Sequence, residues 1–432
     1  MNYFKRTAFL LLVTLVAANF SFAQTLAALA QPKQEKLLNG LKVLIWNEPK
    51  AEKVSLRLRI HSGSAFDPKD KMGTMALLAD ILFPDEQTRS FFEEDLEGSL
   101  EVTSNYDYLQ INATAKADEF LTVLETISTA VSNPPITQEN FVKVRDARLK
   151  AVEEMQKNPA YVADMAIAKR LLADFPYGRP QAGTPESLKL IERADLLTAR
   201  DRFFTADNAT LAITGNVKPD FAYMAARRMF GAWKKSDRLV PATFRQPDEP
   251  DSKDLILQSQ EKDKIELREA IRGLARNDKD FYASAVLLKV AENRLRKDFA
   301  GGKQQQQAFI RQEAHLLPGL IVYGNSYLRS EIKVEPGEDW DVIRVSRVLT
   351  LLDAKISADE FEKARNAVLA EINQKNPADF WLDVDTFKLV SVKDEITKAS
   401  AVTLTDVQKA AERLAKQRDV TIVLKNASEM TK

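Results

Sequence analysis

Few side chains in this sequence could do bond-making chemistry. The 432 residues include two histidines, His61 and His315, and no cysteine. A hydrolytic zinc centre takes three protein ligands from His, carboxylate and Cys, plus a water. Two histidines far apart in the chain do not supply that set. His61 closes an alternating run and precedes Ser-Gly-Ser, which reads as a polar residue at a strand end. His315 stands in RQEAHLLPG, read as the end of a helix, where a cation suits the dipole. Nucleophilic catalysis is no better served, since Cys is absent and no G-x-S-x-G elbow occurs. No Gly-rich phosphate loop is present, and Gly301-Gly302 beside Gln304–Gln307 reads as a flexible loop. The adjacent acids Glu93-Glu94 and Glu153-Glu154 do not converge on one helix face and read as solvated.

Composition limits the partners. Lys+Arg and Asp+Glu both number 62, so no net field recruits nucleic acid or an anionic surface. Apolar residues make up 45% and charged residues 29%, as in a soluble globular protein of two to four domains. The N-terminus has the features of a targeting peptide. Lys5 and Arg6 precede an apolar stretch over residues 8–18, too short to span a bilayer. Ser21 and Ala23 then sit at −3 and −1 of a cleavage site before Gln24. A second candidate site lies at Ala28 and Ala30. The expectation is a targeting peptide over 1–23, or as far as 30, with the mature protein periplasmic or secreted. No later stretch reaches transmembrane length.

The chain is written twice. ITQENFVKVRDARLKAVEEMQKNP, residues 136–159, matches ISADEFEKARNAVLAEINQKNP, residues 356–377. Ile136, Phe141, Lys143, Arg145, Ala147 and Leu149 recur as Ile356, Phe361, Lys363, Arg365, Ala367 and Leu369, and both segments close on Gln-Lys-Asn-Pro. Each reads as an amphipathic helix stopped by the Pro, the second opened by a Ser357–Glu360 capping box. A second matched pair leads a helix into a short strand. There Asp195, Leu196, Thr210, Leu211 and Ile213 match Asp406, Val407, Thr421, Ile422 and Leu424. Strands LKVLIW and VSLRLRIH open the first half, DLILQ and KIELREAI the second; VSLRLRI carries the period-two pattern of a half-buried strand. These features predict an α+β protein of two homologous lobes, each a mainly antiparallel sheet packed with helices, forming a clamshell. The lobes are expected over 31–233 and 254–428, joined by the Pro- and charge-rich linker 234–253.

One run links these lobes to a known family. GSAFDPKDKMGTMALLADILF, residues 63–83, resembles the signature of the insulinase/pitrilysin metallopeptidases, the inverted zincins. That signature reads approximately G-S-x-x-E followed by G-x-A-H-x-x-E-H-x-x-F, and Gly63, Ser64, Gly73, Leu78, Leu82 and Phe83 fit it. PYGRPQAGTPESLKLI, FFTADNATLAITGN and GSLEVTSNYDYLQINATA resemble further family stretches. In the family motif a helix brings two His, four residues apart, onto one face beside a general-base Glu. Here those places hold Ala76, Ala79 and Asp80. The family's third ligand is a Glu seven residues after another Glu. Aligning Arg145-Asp146 with that helix puts Val144 and Ala151 at the two Glu positions, and a one-residue shift would offer Glu153 or Glu154.

The resemblance therefore implies a family member without its zinc, and no cofactor. It implies a non-catalytic partner subunit for a zinc-bearing homologue, handling unfolded peptides, with no nucleic-acid partner and no membrane contact after cleavage of the targeting peptide. Non-zinc subunits of the family carry an Arg and, seven residues on, a Tyr that hold the substrate backbone. Arg311 fits the Arg as a substrate contact; Pro318 falls at the Tyr, with Tyr323 five residues beyond. Arg294 fits a family position whose usual role is packing. Two other readings stay open. One is a metalloendopeptidase with an unusual site built on Asp80 and nearby acids, although carboxylate-only sites favour hard cations such as Mg or Ca. The other is a homodimeric peptide-binding scaffold.

Overall fold

The computed structural model describes residues 31–236, 244–259, 261–298, 308–328 and 347–426. The residues expected to form a targeting segment and the Gly301-Gly302 loop lie outside them, as does part of the expected linker, of which residues 244–253 have no regular secondary structure.

The protein is α+β, with two sheets and helices packed on both. The strands are β1 (Lys33–Lys36), β2 (Lys42–Asn47), β3 (Lys53–Ile60), β4 (Ser99–Ser104), β5 (Leu109–Lys116) and β6 (Ala209–Gly215) in the first lobe. The second lobe has β7 (Leu255–Ser259), β8 (Lys264–Arg272), β9 (Phe309–Gln312), β10 (Leu320–Leu328) and β11 (Val420–Asn426). The first sheet runs β1-β2-β6-β3-β5-β4 and the second β7-β11-β8-β10-β9. Without the edge strand β1 the two orders superimpose. In each, one parallel pair (β2 with β6, β7 with β11) is followed by antiparallel pairs only. The duplication read from the helices thus extends to the hydrogen-bonding pattern of the sheets.

The helices needed below are α1 (Thr74–Asp80), α2 (Phe120–Ser132), α3 (Gln138–Met155), α4 (Pro159–Leu172), α5 (Arg193–Phe203), α6 (Pro219–Phe230), α7 (Phe281–Asp298), α8 (Ala358–Gln374), α9 (Pro377–Thr386) and α10 (Leu404–Leu414). The repeated segments form α3 and α8. Thr137 caps α3, and Ser357 and Glu360 form the reciprocal capping box of α8. Arg294 braces that box, its Nε 3.0 Å from Glu360 and its Nη groups on the carbonyls of Leu351, Asp353 and Lys355. The Gln-Lys-Asn-Pro ends do more than stop a helix. Asn158 and Asn376 cap the next helices, α4 and α9, with Pro in their first turns.

One face of each sheet is covered by its own helices. Leu56, Leu58 and Ile111 pack with residues of α2, α3 and α6, while Ile271, Ile321 and Tyr323 pack with α7, α8 and α10. The other face is covered by the opposite half. Ile167, Leu171 and Leu172 of α4 pack on Ala270, Val322, Val420 and Ile422 of the second sheet. Ala378 and Leu382 of α9 pack on Leu44, Trp46 and Ala212 of the first. The lobes are therefore interlocked by a reciprocal exchange of the helix after each Asn-Pro.

The segment around His315 differs from the helix expected there. Phe309–Gln312 is a strand paired with β10, and His315 stands in the following turn. Alternating burial across Phe309–Gln312 gives it the period of a strand.

Candidate functional site

The segment carrying the degenerate motif is held in place by two glycines and an aspartate. Gly73 opens α1 at φ 95°, and a Cβ there would lie 2.9 Å from the Ala182 carbonyl oxygen. At Gly63 a Cβ would lie 2.1 Å from the Asn105 carbonyl oxygen. Asp67 accepts hydrogen bonds from the amides of Gly73 (2.8 Å) and Met75 (2.9 Å), satisfying donors that a helix N-terminus leaves free. Burial pushes the Asp67 carboxyl up to about 7, against the pull of those amides. Sequence reasoning passed over Asp67, because it reaches the helix N-terminus across a loop and occupies no local capping position.

Ala76, Ala79 and Asp80 lie on one face of α1, three and four residues apart. They open onto a cavity of about 400 Å³ that Ser104, Arg148 and Met155 also line. Val144 and Ala151 do not reach it: Val144 is buried in the first core and Ala151 is exposed. The residues of α3 that face α1 across the cavity are Arg148 and Met155, again seven apart. Positions 144, 148, 151 and 155 fall along one stripe of α3, so a shift of one turn preserves the face and escapes a sequence alignment. Glu153 and Glu154 are exposed and absent from the cavity wall, as are Glu93 and Glu94.

Arg148 dominates the site. Its Nε donates to Asp80 Oδ2 at 2.8 Å and its Nη2 to Asp80 Oδ1 at 2.6 Å, a bidentate pair, while Nη2 also lies 3.4 Å from the Ala76 carbonyl oxygen. The guanidinium thus sits over the face on which the family motif would hold its metal. Burial raises the Asp80 carboxyl above its usual range, outweighing the opposing pull of Arg148 and Arg89. Zinc does not fit this donor set. Ala76 and Ala79 offer no ligand atom, both oxygens of Asp80 are engaged by a cation, and Met155 brings no charge. Among the described residues no group of three or more His, Cys, Asp or Glu side chains could hold a metal ion.

A smaller cavity adjoins the first through Tyr106, Met165 and Gln181, and is closed from the second lobe by Arg311, Glu313 and Val322. Arg311 is about half exposed, and its Nη2 lies 2.8 Å from Asp164 Oδ2 of α4. Its guanidinium also stacks 4.7 Å from the Phe309 ring. Arg311 therefore faces a cavity while serving as a link between the lobes. Tyr323 is fully buried in the second core and does not reach either cavity. The two histidines, though on different lobes, both stand at the junction. His315 pairs with Asp107 of the first lobe at 2.9 Å and stacks 4.4 Å from Tyr177. His61 lies 3.0 Å from the Thr386 hydroxyl of α9 and 3.0 Å from Thr210.

Comparisons with known proteins agree with this architecture. The insulinase model of peptidase family M16 matches residues 42–185, and the model of the peptidase M16 inactive domain matches residues 191–333. An uncharacterized zinc protease of Rickettsia felis is 23% identical over 216 residues, covering 48% of this chain and 52% of its own. Subunit 1 of the mitochondrial cytochrome b-c1 complex of Saccharomyces cerevisiae is 26% identical over 212 residues, covering 48% and 46%. These matches span about half the length of each curated relative. Among solved structures, a peptidase M16 inactive domain from Pseudomonas fluorescens aligns over 92% of this chain and 98% of its own, with TM-score 0.79 and 18% identity.

Proposed function

The chain belongs to the insulinase family of peptidases, M16, and from that premise we propose that it is a non-catalytic member, working in the periplasm as partner to a zinc-bearing homologue in peptide degradation or processing. One observation carries the non-catalytic reading. Arg148 is bonded to both oxygens of Asp80 and approaches the Ala76 carbonyl, so a fixed cation stands where the family's metal and its water would have to be. Ala79 cannot act as a base, because a methyl group has no proton acceptor. The same pair weighs against a peptidase with a carboxylate-built metal site, since a metal at Asp80 would have to sit beside the Arg148 cation already bound to both its oxygens. The partner role is supported by the resemblance to family subunits that work in two-chain assemblies, and the location by the N-terminal targeting pattern.

The test measures bound zinc and cleavage of an unfolded peptide, for the chain alone and after mixing with an H-x-x-E-H homologue encoded beside it. The expected result is no stoichiometric zinc, no cleavage alone and enhanced cleavage in the mixture. Tightly held zinc with chelator-sensitive cleavage by the chain alone overturns the non-catalytic reading. An unchanged rate on mixing overturns the partner role and leaves a peptide-binding scaffold.

A further inference from the structure

We propose that the cavity over α1 is a binding site for the C-terminal carboxylate of a peptide, held by the free edge of Arg148. This inference rests on the reading above of the chain as a peptide-handling, non-catalytic family member.

A guanidinium presents five N–H donors in a fixed fork. Asp80 takes the edge formed by Nε and Nη2. Among the described residues Nη1 has no hydrogen-bond partner, although the side chain is three-quarters buried and lines the cavity. Asp80 therefore fixes the arginine in place and leaves its outer N–H groups to an acceptor from outside. The Ser104 hydroxyl, in the same wall, is buried with no partner among the described residues. A buried donor without an acceptor is costly, and a ligand oxygen would relieve that cost.

The rest of the lining suits a peptide end. Among the described residues the one charged pair in the cavity wall is Arg148 with Asp80, so an incoming carboxylate meets no carboxylate there other than the one already bound to Arg148. The remaining wall is largely apolar or aromatic, with Val102, Tyr106, Met155, Tyr161 and Met165. A volume of about 400 Å³ takes one or two residues. A chain that ends in an apolar residue has that side chain directly beside a carboxylate, which neither acetate nor an internal Asp or Glu offers.

The experiment titrates the full chain with the pentapeptide Ala-Ala-Ala-Ala-Leu as free acid, with the same peptide amidated, and with acetate. The free acid is expected to bind about tenfold or more tightly than the amide, the worth of one charge-assisted hydrogen bond. Arg148→Gln, in a sample whose melting temperature shows it folded, removes the preference, and Ser104→Ala weakens it. Equal affinity of acid and amide, no binding of the acid at millimolar concentration, or a preference that survives Arg148→Gln overturns the proposal. So does acetate competing as well as the peptide, which would mark a general anion site. Zinc content and cleavage are read in parallel. The proposed function fails through those two readouts, whereas the carboxylate site fails through the acid–amide difference.

Discussion

The two places where the halves cross are related by the repeat, yet they mix apolar and ionic contacts in different proportions. Where α4 lies on the second sheet, the apolar set is large: Ile167, Leu171, Leu172, Phe175 and Tyr177 meet Ala270, Val322, Val420 and Ile422, and Asp164 of α4 holds Arg311 and the buried Arg268 of that sheet. Where α9 lies on the first sheet, the apolar set shrinks to Leu44, Trp46, Ala212, Ala378 and Leu382, and ion pairs surround it. Arg59 donates to Asp383 at 2.7 Å, Lys42 meets Asp385 at 3.0 Å, and Arg57 donates to Asn376 at 2.6 Å. The histidines follow their surroundings. At the α4 crossing, burial works against the charge on His315, but Asp107 and Glu313 outweigh it and push the imidazole up to about 9. At the α9 crossing, burial holds His61 down to about 3, Asp385 opposing and Arg59, Lys388 and Lys42 reinforcing. A duplicated scaffold thus fixes where the halves touch, while side-chain chemistry decides how each contact responds to mutation and pH.

The largest expected effect comes from breaking the ionic crossing on one side only. Asp383→Ala takes from Arg59, which is 2% exposed, its close carboxylate and leaves it Gln110, Thr386 and the more distant Asp379, and should cost up to about 3–5 kcal/mol, whereas replacing both partners with apolar residues, Arg59→Met with Asp383→Leu, should cost less. Thermal unfolding of the three proteins checks this, and an equal loss in the double variant would contradict it. Next comes the larger apolar set, at the α4 crossing. Ile167→Ala removes a side chain 1% exposed and should destabilise by about 2–4 kcal/mol, with no salt dependence.

The pH response separates the crossings further. His315 has its folded value raised from 6.5 to about 9, so its contribution is complete below 6.5 and is lost as pH rises through 9. His61 has its folded value lowered from 6.5 to about 3, so its crossing is at full strength above 6.5 and weakens as pH falls towards 3. Melting temperature against pH should therefore peak near neutrality. His315→Gln should flatten the alkaline limb alone and His61→Gln the acid limb alone; a variant that flattens the wrong limb refutes the assignment.

The smallest effect belongs to the altered site. The Arg148–Asp80 pair is partly exposed, and Arg148→Ala should cost no more than about 1 kcal/mol. Ala76→His on its own should bind no zinc by equilibrium dialysis, since Arg148 remains and the other ligands are missing.

Much of this could be read in advance, for reasons tied to particular residues. Repeated Gln-Lys-Asn-Pro segments and period-two strands exposed the duplication, because helix capping and sheet alternation are local and leave local marks. That Ala76, Ala79 and Asp80 share a face was legible for the same reason, as their spacing is fixed by one helical turn. The positions on α3 were not. Val144, Arg148, Ala151 and Met155 share a stripe, and only packing against α1 selects Arg148 and Met155 as the ones that face the cavity. His315 was misplaced on a helix because a four-residue strand is defined by its partner β10 rather than by its own composition.

The sequence by itself determined the two α+β halves, their kinship to the insulinase family and the absence of the motif's histidines, since each depends on residues close in the chain. Tertiary structure decided that an arginine 68 residues from Asp80 covers the face of α1 that carries Ala76 and Asp80. It also decided that α4 and α9 exchange sheets and that two distant histidines meet the opposite lobe. Each depends on the level at which one helix packs against another element, a quantity set by the whole core and by no local pattern.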